Sequence, residues 1–441
     1  MVLKRRAWWA LTLGLCLWLG LQVESMPAYA DSSWSEAASS LTASRMLRFR
    51  NKINVKQCTE EQAAAVRQDQ FQRLLMGENL PAREVLLKSL GLWPNEVSLQ
   101  DTFNSVAPKL ALDWYDSKNH CALQVTGSQP LDLTSMLGLG SRASFLFTSL
   151  GIDAQKIYRT FLLEHALTDQ YFDLEALFAA TNGDMDAQLA LASVVEGDAI
   201  LSTVMATTNS LGMKLPSLSE SLTKVNPDYL YSLVEQRVPQ IKEVPALFRD
   251  YLAMVTVGGF KFANTLKERG GWGALNRALR TPPVSSRQIL HPMVYLNGNC
   301  APQRLECAFP ENLGELRLLG SESAGEFITA TWAATPLGKQ EADKLACELR
   351  GDRWWAYAAE EGAKSTTLLW ATLWNSEEAA QTFAQLAANK GARVKVNGLT
   401  ALAAFGTLPE NESAILETSI EAKSATAKTS AEVKSGTVAD K

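Results

Sequence analysis

Hydrophobic residues recur at helical spacing along most of the chain before residue 270. Between them lies one strand pattern, with Trp114–Lys118 as a strand end and turn and Cys121–Val125 as the returning strand. The helix that ends at Met205 is apolar on nearly every side, so it is predicted to lie buried at the centre of its domain. The predicted helices are Glu60–Met76, Ala82–Leu90, Val97–Leu110, Asp153–Leu167, Asp184 or Asp186 to Met205, and two more near 227–239 and 243–267, the last ended by Gly270-Gly271.

The pattern changes after residue 310, where strand signals become frequent. Asn397-Gly398 is typical of a two-residue turn and predicts a hairpin from Arg393 to Phe405. Beyond Phe405 no aromatic residue occurs, and the composition of residues 409–441 predicts a disordered tail. The other elements predicted here are helices near 312–318, Gly338–Leu349 and Ser376–Asn389, and strands Phe327–Ala333, Arg353–Ala358 and Thr366–Trp374.

These patterns predict a mostly helical α+β protein with two folded parts. Its 441 residues are enough for two or three domains. Residues 31–309 are predicted to form a helical domain. Residues 310–408 are predicted to form a smaller α+β domain, in which helices cover one face of a small antiparallel sheet.

The first thirty residues have the three parts of a secretory signal peptide. Lys4, Arg5 and Arg6 precede an apolar stretch from Ala7 to Val23, and an A-x-A cleavage pattern ends at Ala30. The apolar stretch is at the short limit for a membrane-spanning helix, so an uncleaved anchor is the weaker alternative. The protein is therefore predicted to be periplasmic or secreted, cut after Ala30, with no stable membrane anchor after cleavage.

Charge and cysteine content narrow the class of protein. A formal net charge of −5 disfavours nucleic-acid binding, which usually needs a dominant basic surface. Export permits disulfides, and five of the six cysteines would remain after cleavage. Cys300 and Cys307, on either side of a Pro-containing loop, are the favoured pair, and Cys58 with Cys121 is a weaker one. Cys347 would then be a free thiol on a helix.

The chain has only three histidines, so any imidazole chemistry must use His120, His165 or His291. His165 lies in the first of three informative segments. The segments are Phe161-Leu162-Leu163-Glu164-His165-Ala-Leu-Thr-Asp169-Gln170-Tyr-Phe172-Asp173-Leu174, then Glu196-Gly197-Asp198-Ala199, then Gly271-Trp272 followed by Pro282-Pro283-Val-Ser285-Ser286-Arg-Gln288-Ile-Leu290-His291-Pro292.

Together these segments resemble a family of exported bacterial zinc metallopeptidase-like proteins with the pattern H-E-x-x-H-A-L-x-D-Q-x-F-D-L, then A-L-x-E-G-[DE]-A, then Q-I-L-H-P. The resemblance implies a zincin-like domain in which two histidines on one helix face and a glutamate on a later helix hold zinc. It assigns the second histidine to His165 and the third ligand to Glu196. The first-histidine position is Phe161 and the general-base position is Leu162, so half of the implied active site is missing.

A phenyl ring in the first ligand position would fill the metal's volume with apolar surface, and leucine cannot take a proton from bound water. The chain is therefore interpreted as a degenerate metallopeptidase, a pseudopeptidase with no catalytic residue and no cofactor. It would bind or scaffold in the cell envelope, with a protein or peptide in the former substrate cleft. One alternative is an active zinc peptidase that uses Glu164, His165 and Glu196. The other is a structural envelope protein whose tail contacts a partner.

Several motif residues are expected to be structural. His165 is expected to form a buried ion pair or hydrogen bond with Glu196. The others are Asp169 and Gln170, which would cap or orient neighbouring backbone, His291, which would mark a rigid turn before Pro292, and His120, which would lie on the surface.

Overall fold

A computed structural model of the chain shows a mixed α+β fold, as the sequence predicts. It describes residues 30–76, 79–106, 113–126, 154–210, 244–298, 301–359, 365–408, 415–418 and 420–423. The signal peptide, the helix near 227–239 and most of the predicted tail lie outside the described residues.

Helices dominate the described chain before residue 300. Local capping sets several of their starts: Thr59 and Gln62 form a capping box, in which each side chain accepts a hydrogen bond from the other's backbone amide. The helices are α1 (Ala30–Arg45), α2 (Glu60–Phe71, continued by a π turn, Gln72–Met76), α3 (Leu80–Ser89), α4 (Leu99–Val106), α5 (Ala154–Phe172), α6 (Leu174–Ala179), α7 (Met185–Ser210), α8 (Ala246–Ala253, continued by a π turn, Met254–Gly258), α9 (Gly259–Arg280, broken at Gly270 and Gly271), α10 (Ser286–Leu290), α11 (Pro292–Leu296), α12 (Gly325–Leu337), α13 (Lys339–Cys347) and α14 (Glu377–Asn389).

The described strands form three sheets. The largest is antiparallel with the order β5-β6-β7-β8-β10-β9. The predicted hairpin β9–β10 is present, but Asn397 pairs with Thr400, so its two turn residues are Gly398 and Leu399, one position later than predicted. A three-stranded sheet has the order β1-β3-β2, with β1 parallel to β3, and β11 pairs with β4. The strands are β1 (Asn54–Cys58), β2 (Trp114–Asp116), β3 (Cys121–Val125), β4 (Arg304–Glu306), β5 (Asn312–Leu313), β6 (Leu316–Glu322), β7 (Leu349–Ala358), β8 (Thr366–Trp374), β9 (Arg393–Asn397), β10 (Thr400–Gly406) and β11 (Glu421–Lys423).

The apolar helix α7 runs through the centre of the helical part, as predicted. It is the one described helix long and apolar enough to cross a membrane, yet 89% of its most apolar window is buried inside the protein. Its all-round apolar surface is covered by α1, α5 and α9. The sequence of α7 therefore encodes burial on every side and lacks the single apolar stripe of an amphipathic helix.

One continuous hydrophobic core joins the two predicted domains. Trp332 on α12, Trp370 on β8 and Phe383 on α14 pack edge to face within it. At the boundary the buried Arg83 guanidinium on α3 pairs with Glu322 on β6 at 2.9 Å. The helical part and the sheet are thus packed on each other over a shared interior.

Two predictions after residue 310 are wrong. The predicted strand Phe327–Ala333 belongs to the helix α12, because the Asp352 carboxylate accepts hydrogen bonds from the amides of Ala324 and Gly325 and so caps its first turn. Tertiary contacts here override the strand preference of its β-branched and aromatic residues. The predicted helix 312–318 is instead the tight hairpin of β5 and β6, where Gly314 takes the positive φ of 61° that its turn requires.

Two further corrections concern strands at the edges. The strand β1 lies in a segment for which the sequence pattern predicts helix. It forms because it pairs in parallel with β3. Part of the tail predicted to be disordered is ordered, since β11 pairs with β4 and Ile415 is buried against the largest sheet. Hydrogen bonds of this kind are supplied by a distant strand, so local composition does not encode them.

The cysteines are free thiols at all four described positions, Cys58, Cys121, Cys307 and Cys347. The predicted bond from Cys307 to Cys300 is therefore not formed, and Cys300 itself lies outside the described residues. Cys58 pairs in register with Val125, four residues from Cys121. That offset is about 13 Å along the strand, too far for the weaker predicted disulfide.

Gly197 of the second motif segment lies where α7 crosses α9. A Cβ built on Gly197 would be 2.2 Å from the backbone oxygen of Gly259, and one built on Gly259 would be 2.1 Å from the backbone oxygen of Ser193. Backbone atoms cannot move aside as a flexible side chain can. The two glycines therefore permit the close approach of the helices that enclose the site described below.

We expect Gly197→Ala to destabilise the protein by about 1–3 kcal/mol, because the added methyl group must separate α7 from α9. The matched control is Gly273→Ala on α9, where the nearest neighbour of a new Cβ is the end of the Arg277 side chain at 3.9 Å. That change should be neutral or slightly stabilising, since alanine favours helix over glycine. Urea unfolding of both variants checks this, and equal stabilities would contradict it.

Candidate functional site

The motif helices α5 and α7 bring His165 and Glu196 together. The Nε2 atom of His165 lies 3.1 Å from Oε1 of Glu196, and its Nδ1 atom lies 3.1 Å from the backbone oxygen of Phe161. The contact between His165 and Glu196 that the sequence predicts is therefore present. A carboxylate and a carbonyl oxygen can only accept, so both ring nitrogens must donate, and the contacts favour the protonated imidazolium.

The electrostatics of His165 agree with that protonation state. Burial alone would lower the pKa of His165, but the Glu196 carboxylate and the Phe161 carbonyl outweigh it and raise the pKa above its ordinary value. A histidine that ligates a metal must be neutral at the ligating nitrogen. A metal ion at Nε2 of His165 would therefore have to displace that proton.

Phe161 and Leu162 occupy the positions where the resemblance places the first zinc ligand and the general base. The Phe161 ring packs edge-on against the His165 ring with centroids 4.8 Å apart, and Leu162 is buried at 4% exposure. In the part of the chain that is described, only His165 and Glu196 offer donors at this place. Since catalytic zinc needs three protein ligands, the residues present do not fit the metal.

Glu164, the possible substitute ligand, does not line the cavity with His165 and is held in a buried ion pair. Its Oε1 atom accepts from Nε of the buried Arg45 at 3.1 Å, and the same guanidinium donates to Oδ2 of Asp198 at 3.0 Å. Burial and the nearby Asp198 charge raise the pKa of Glu164 well above its ordinary value, against the opposing effect of Arg45. The described side chains thus do not bring Glu164, His165 and Glu196 around one point.

The Arg45 cluster explains motif residues that sequence reasoning left without a partner. Arg45 also donates to Oδ1 of Asn276 at 2.8 Å and lies 4.6 Å from the centre of the Trp272 ring. Asp198 of the second segment and Trp272 of the third are therefore parts of one buried anchor. Arg45 itself is 119 positions from Glu164, so no local signal could have revealed it.

A cavity of about 330 Å³ lies beside His165 and Glu196. Its size falls in the range of small-molecule sites, and its walls are almost wholly apolar. Polar groups at its edge, such as Arg83 and Gln188, already bond to each other. The apolar residues that line it include Phe161, Leu162, Leu189, Ala192, Phe248 and Phe327.

The residues after His165 mainly organise backbone, as predicted. Oδ1 of Asp169 accepts from the amide of Leu174, and the Gln170 side chain accepts from the amides of Arg50 and Asn51. Oδ2 of Asp169 also contacts the Tyr115 hydroxyl at 2.6 Å.

His120 is 68% exposed at its side chain, as the sequence predicts. Its Nδ1 atom nevertheless bonds to Oδ2 of Asp169 at 2.7 Å. That hydrogen bond outweighs the effect of burial and raises the pKa of His120. The sequence gives no hint of this partner, which lies 49 positions away.

The third motif segment also has a structural role. The backbone amide of Ser286 donates to Oδ1 of the buried Asp186, and its hydroxyl accepts from the amide of Phe327. This serine thereby joins α7 to the start of α12. His291 lies between α10 and α11, before Pro292 as the sequence predicts, and its ring reaches Glu326 on α12.

Comparisons of the chain with protein-family models, with curated proteins and with solved structures give no match.

We expect the pair of His165 and Glu196 to stabilise the fold in acid and to lose this effect in alkali. The folded pKa of His165 is raised, so its contribution is complete below the unfolded value of about 6.5 and is lost as the pH rises through the folded pKa. Glu196→Gln removes the charge that raises the pKa. From about pH 5.5 to about pH 8.5, the wild type should therefore lose stability relative to this variant.

Urea unfolding of both proteins at the two pH values measures this difference. The control is Glu378→Gln, an exposed change on α14 that should leave the pH profile of the wild type unaltered. Parallel profiles for the wild type and Glu196→Gln would show that the pair does not titrate as argued.

Proposed function

We propose that this protein is an exported, catalytically degenerate relative of zinc metallopeptidases that binds an apolar ligand in the cavity between its motif helices. The observation that carries the proposal is the replacement of the implied ligand and base by Phe161 and Leu162, both of which line that cavity. Apolar side chains at these two positions remove the means to polarise a peptide bond. They also extend one continuous apolar surface, which suits binding.

The chemistry of the walls favours a hydrocarbon chain as the occupant. A peptide backbone carries a donor and an acceptor at each residue, and burying these groups without partners costs about 1–3 kcal/mol each. An acyl chain has no such groups. Glu196 lies on the wall, and its carboxylate can accept a hydrogen bond from one polar end group that donates, such as a hydroxyl. A protein or peptide partner could enter with its apolar side chains only.

We expect dodecan-1-ol, whose hydroxyl can donate to Glu196, to bind the purified protein and to raise its melting temperature, because a ligand of the folded state stabilises it by mass action. Ala192→Phe, which places a ring in the cavity, should weaken binding at least about tenfold. The control Ala179→Phe lies on the exposed side of α6 and should bind like the wild type. Calorimetric titration and thermal unfolding measure both effects.

Two outcomes would count against this ligand. Saturable binding that Ala192→Phe leaves unchanged would place the site elsewhere on the protein. Binding of an aliphatic heptapeptide at the cavity without binding of dodecan-1-ol would favour the peptide partner. The melting-temperature shift is measured on the wild type alone, so the test survives poor folding of the filled variant.

The proposed ancestry has its own test. Phe161→His should create a three-ligand zinc site with His165 and Glu196, because Phe161 and His165 lie one turn apart with their rings in contact. We expect dialysed Phe161→His to contain about one more zinc ion per chain than the wild type, by atomic absorption. The same substitution combined with His165→Ala should gain none. A folded Phe161→His variant with no extra zinc would contradict the metallopeptidase-like arrangement.

A further inference from the structure

Three side chains with metal-binding chemistry converge at a place unrelated to the cavity or to the motif helices. Among the described residues, His291, Glu326 and Cys347 form the one group of three such side chains whose ligand atoms all lie within 4.8 Å of one another. His291 is in the turn between α10 and α11, Glu326 in the first turn of α12, and Cys347 is the last residue of α13. We propose that these three residues bind a divalent transition-metal ion, with Zn²⁺ as the preferred ion.

The spacing of the donor atoms suits a tetrahedral ion. Sγ of Cys347 lies 3.4 Å from Nε2 of His291 and 3.5 Å from Oε1 of Glu326. Around tetrahedral zinc, neighbouring ligand atoms are about 3.4–3.6 Å apart, given the usual zinc–ligand bond lengths. The third separation, from Nε2 of His291 to Oε1 of Glu326, is 2.6 Å. It must widen by about 0.8 Å, and the His291 side chain is 37% exposed and free to swing outward.

The charge and softness of the donors select the ion. A thiolate and a carboxylate together balance the two charges of Zn²⁺, and a set of nitrogen, oxygen and sulfur donors is one that zinc prefers over calcium or magnesium. Cysteine binds zinc as the thiolate, so metal binding would displace the proton of the Cys347 thiol.

Neighbouring groups hold two of the ligands in place. Nη1 of Arg287 donates to Oε2 of Glu326 at 3.1 Å and to the backbone oxygen of Cys347 at 2.6 Å. The guanidinium thereby leaves the other carboxylate oxygen, Oε1, directed towards His291 and Cys347. Residues that surround a metal site commonly orient its ligands in this way.

Three protein ligands leave the fourth position of a tetrahedral ion open to water. His291 and Cys347 are both partly exposed, so this position can face an accessible side. The ion would also tie the α10–α11 turn to α12 and α13, which join the helical part of the protein to the sheet. Binding should therefore raise the stability of the folded state.

Cobalt(II) is the probe, because a cobalt–thiolate bond gives a charge-transfer absorption band in the near ultraviolet. We expect purified wild-type protein to develop this band up to one equivalent of cobalt and to lose it when zinc is added. Cys347→Ser and His291→Ala should both lack the band. The matched control Cys307→Ser removes another half-buried thiol and should retain it.

A second measurement needs no variant. Zinc should protect Cys347 of the wild type from alkylation, as judged by mass spectrometry of its peptides, and should leave the labelling of Cys307 unchanged. A folded wild type with no thiolate band, a band that persists in Cys347→Ser, or alkylation of Cys347 that zinc does not slow would each overturn the proposal. Neither readout depends on the cavity or on His165.

Discussion

The buried charge of Arg45 is the constraint on which the arrangement of the motif helices depends. Its guanidinium is wholly buried, and it reaches Glu164 on α5, Asp198 on α7 and Asn276 on α9. Burying these charges is costly, and removing one partner of such a pair typically costs about 3–5 kcal/mol, because the remaining charge is left uncompensated. Pairing of these groups therefore fixes how α1, α5, α7 and α9 are rotated about their own axes.

That rotation also decides which residues of α5 reach the cavity. Successive helix residues are about 100° apart, so when Glu164 faces Arg45, Leu162 lies about 160° away around the helix and His165 about 100° away. Both line the cavity together with Phe161, whereas Glu164 is fully buried against Arg45. The helix thus has an ionic side that positions it and an apolar side that forms the cavity. An acid at position 164 belongs to the architecture, which is why it does not serve as a substitute ligand.

The sequence predicts those parts of the molecule in which local pattern and tertiary environment agree. The all-round apolar α7, the strand Thr366–Trp374 and the hairpin of β9 and β10 were all predictable, because each is encoded by a run of adjacent residues. The prediction fails for α12, where a cap from Asp352 outweighs strand propensity.

The same limit applies to the candidate sites. His165 and Glu196 could be paired from motif spacing, and the structure places them 3.1 Å apart. Arg45 could not be found in this way, and neither could the grouping of His291 with Cys347, since the partners are 119 and 56 positions apart in the chain. Long-range contacts of this kind depend on how the helices are packed, and no local periodicity reports that packing.

The two histidines also show why residue type alone does not identify a metal site. His165 lies in a motif that resembles one, yet Glu196 is the one described side chain that offers a second ligand atom beside it, and the Phe161 ring fills the third position. Nε2 of His291 faces both the Glu326 carboxylate and the Cys347 thiol, so two further ligand atoms lie within reach of one ion. The number of ligand atoms that converge on the imidazole, rather than resemblance to a motif, separates a histidine that anchors a helix from one that can hold an ion. By that criterion the proposed metal site of the described residues lies at the junction of α11, α12 and α13, and the motif helix α5 lines the cavity.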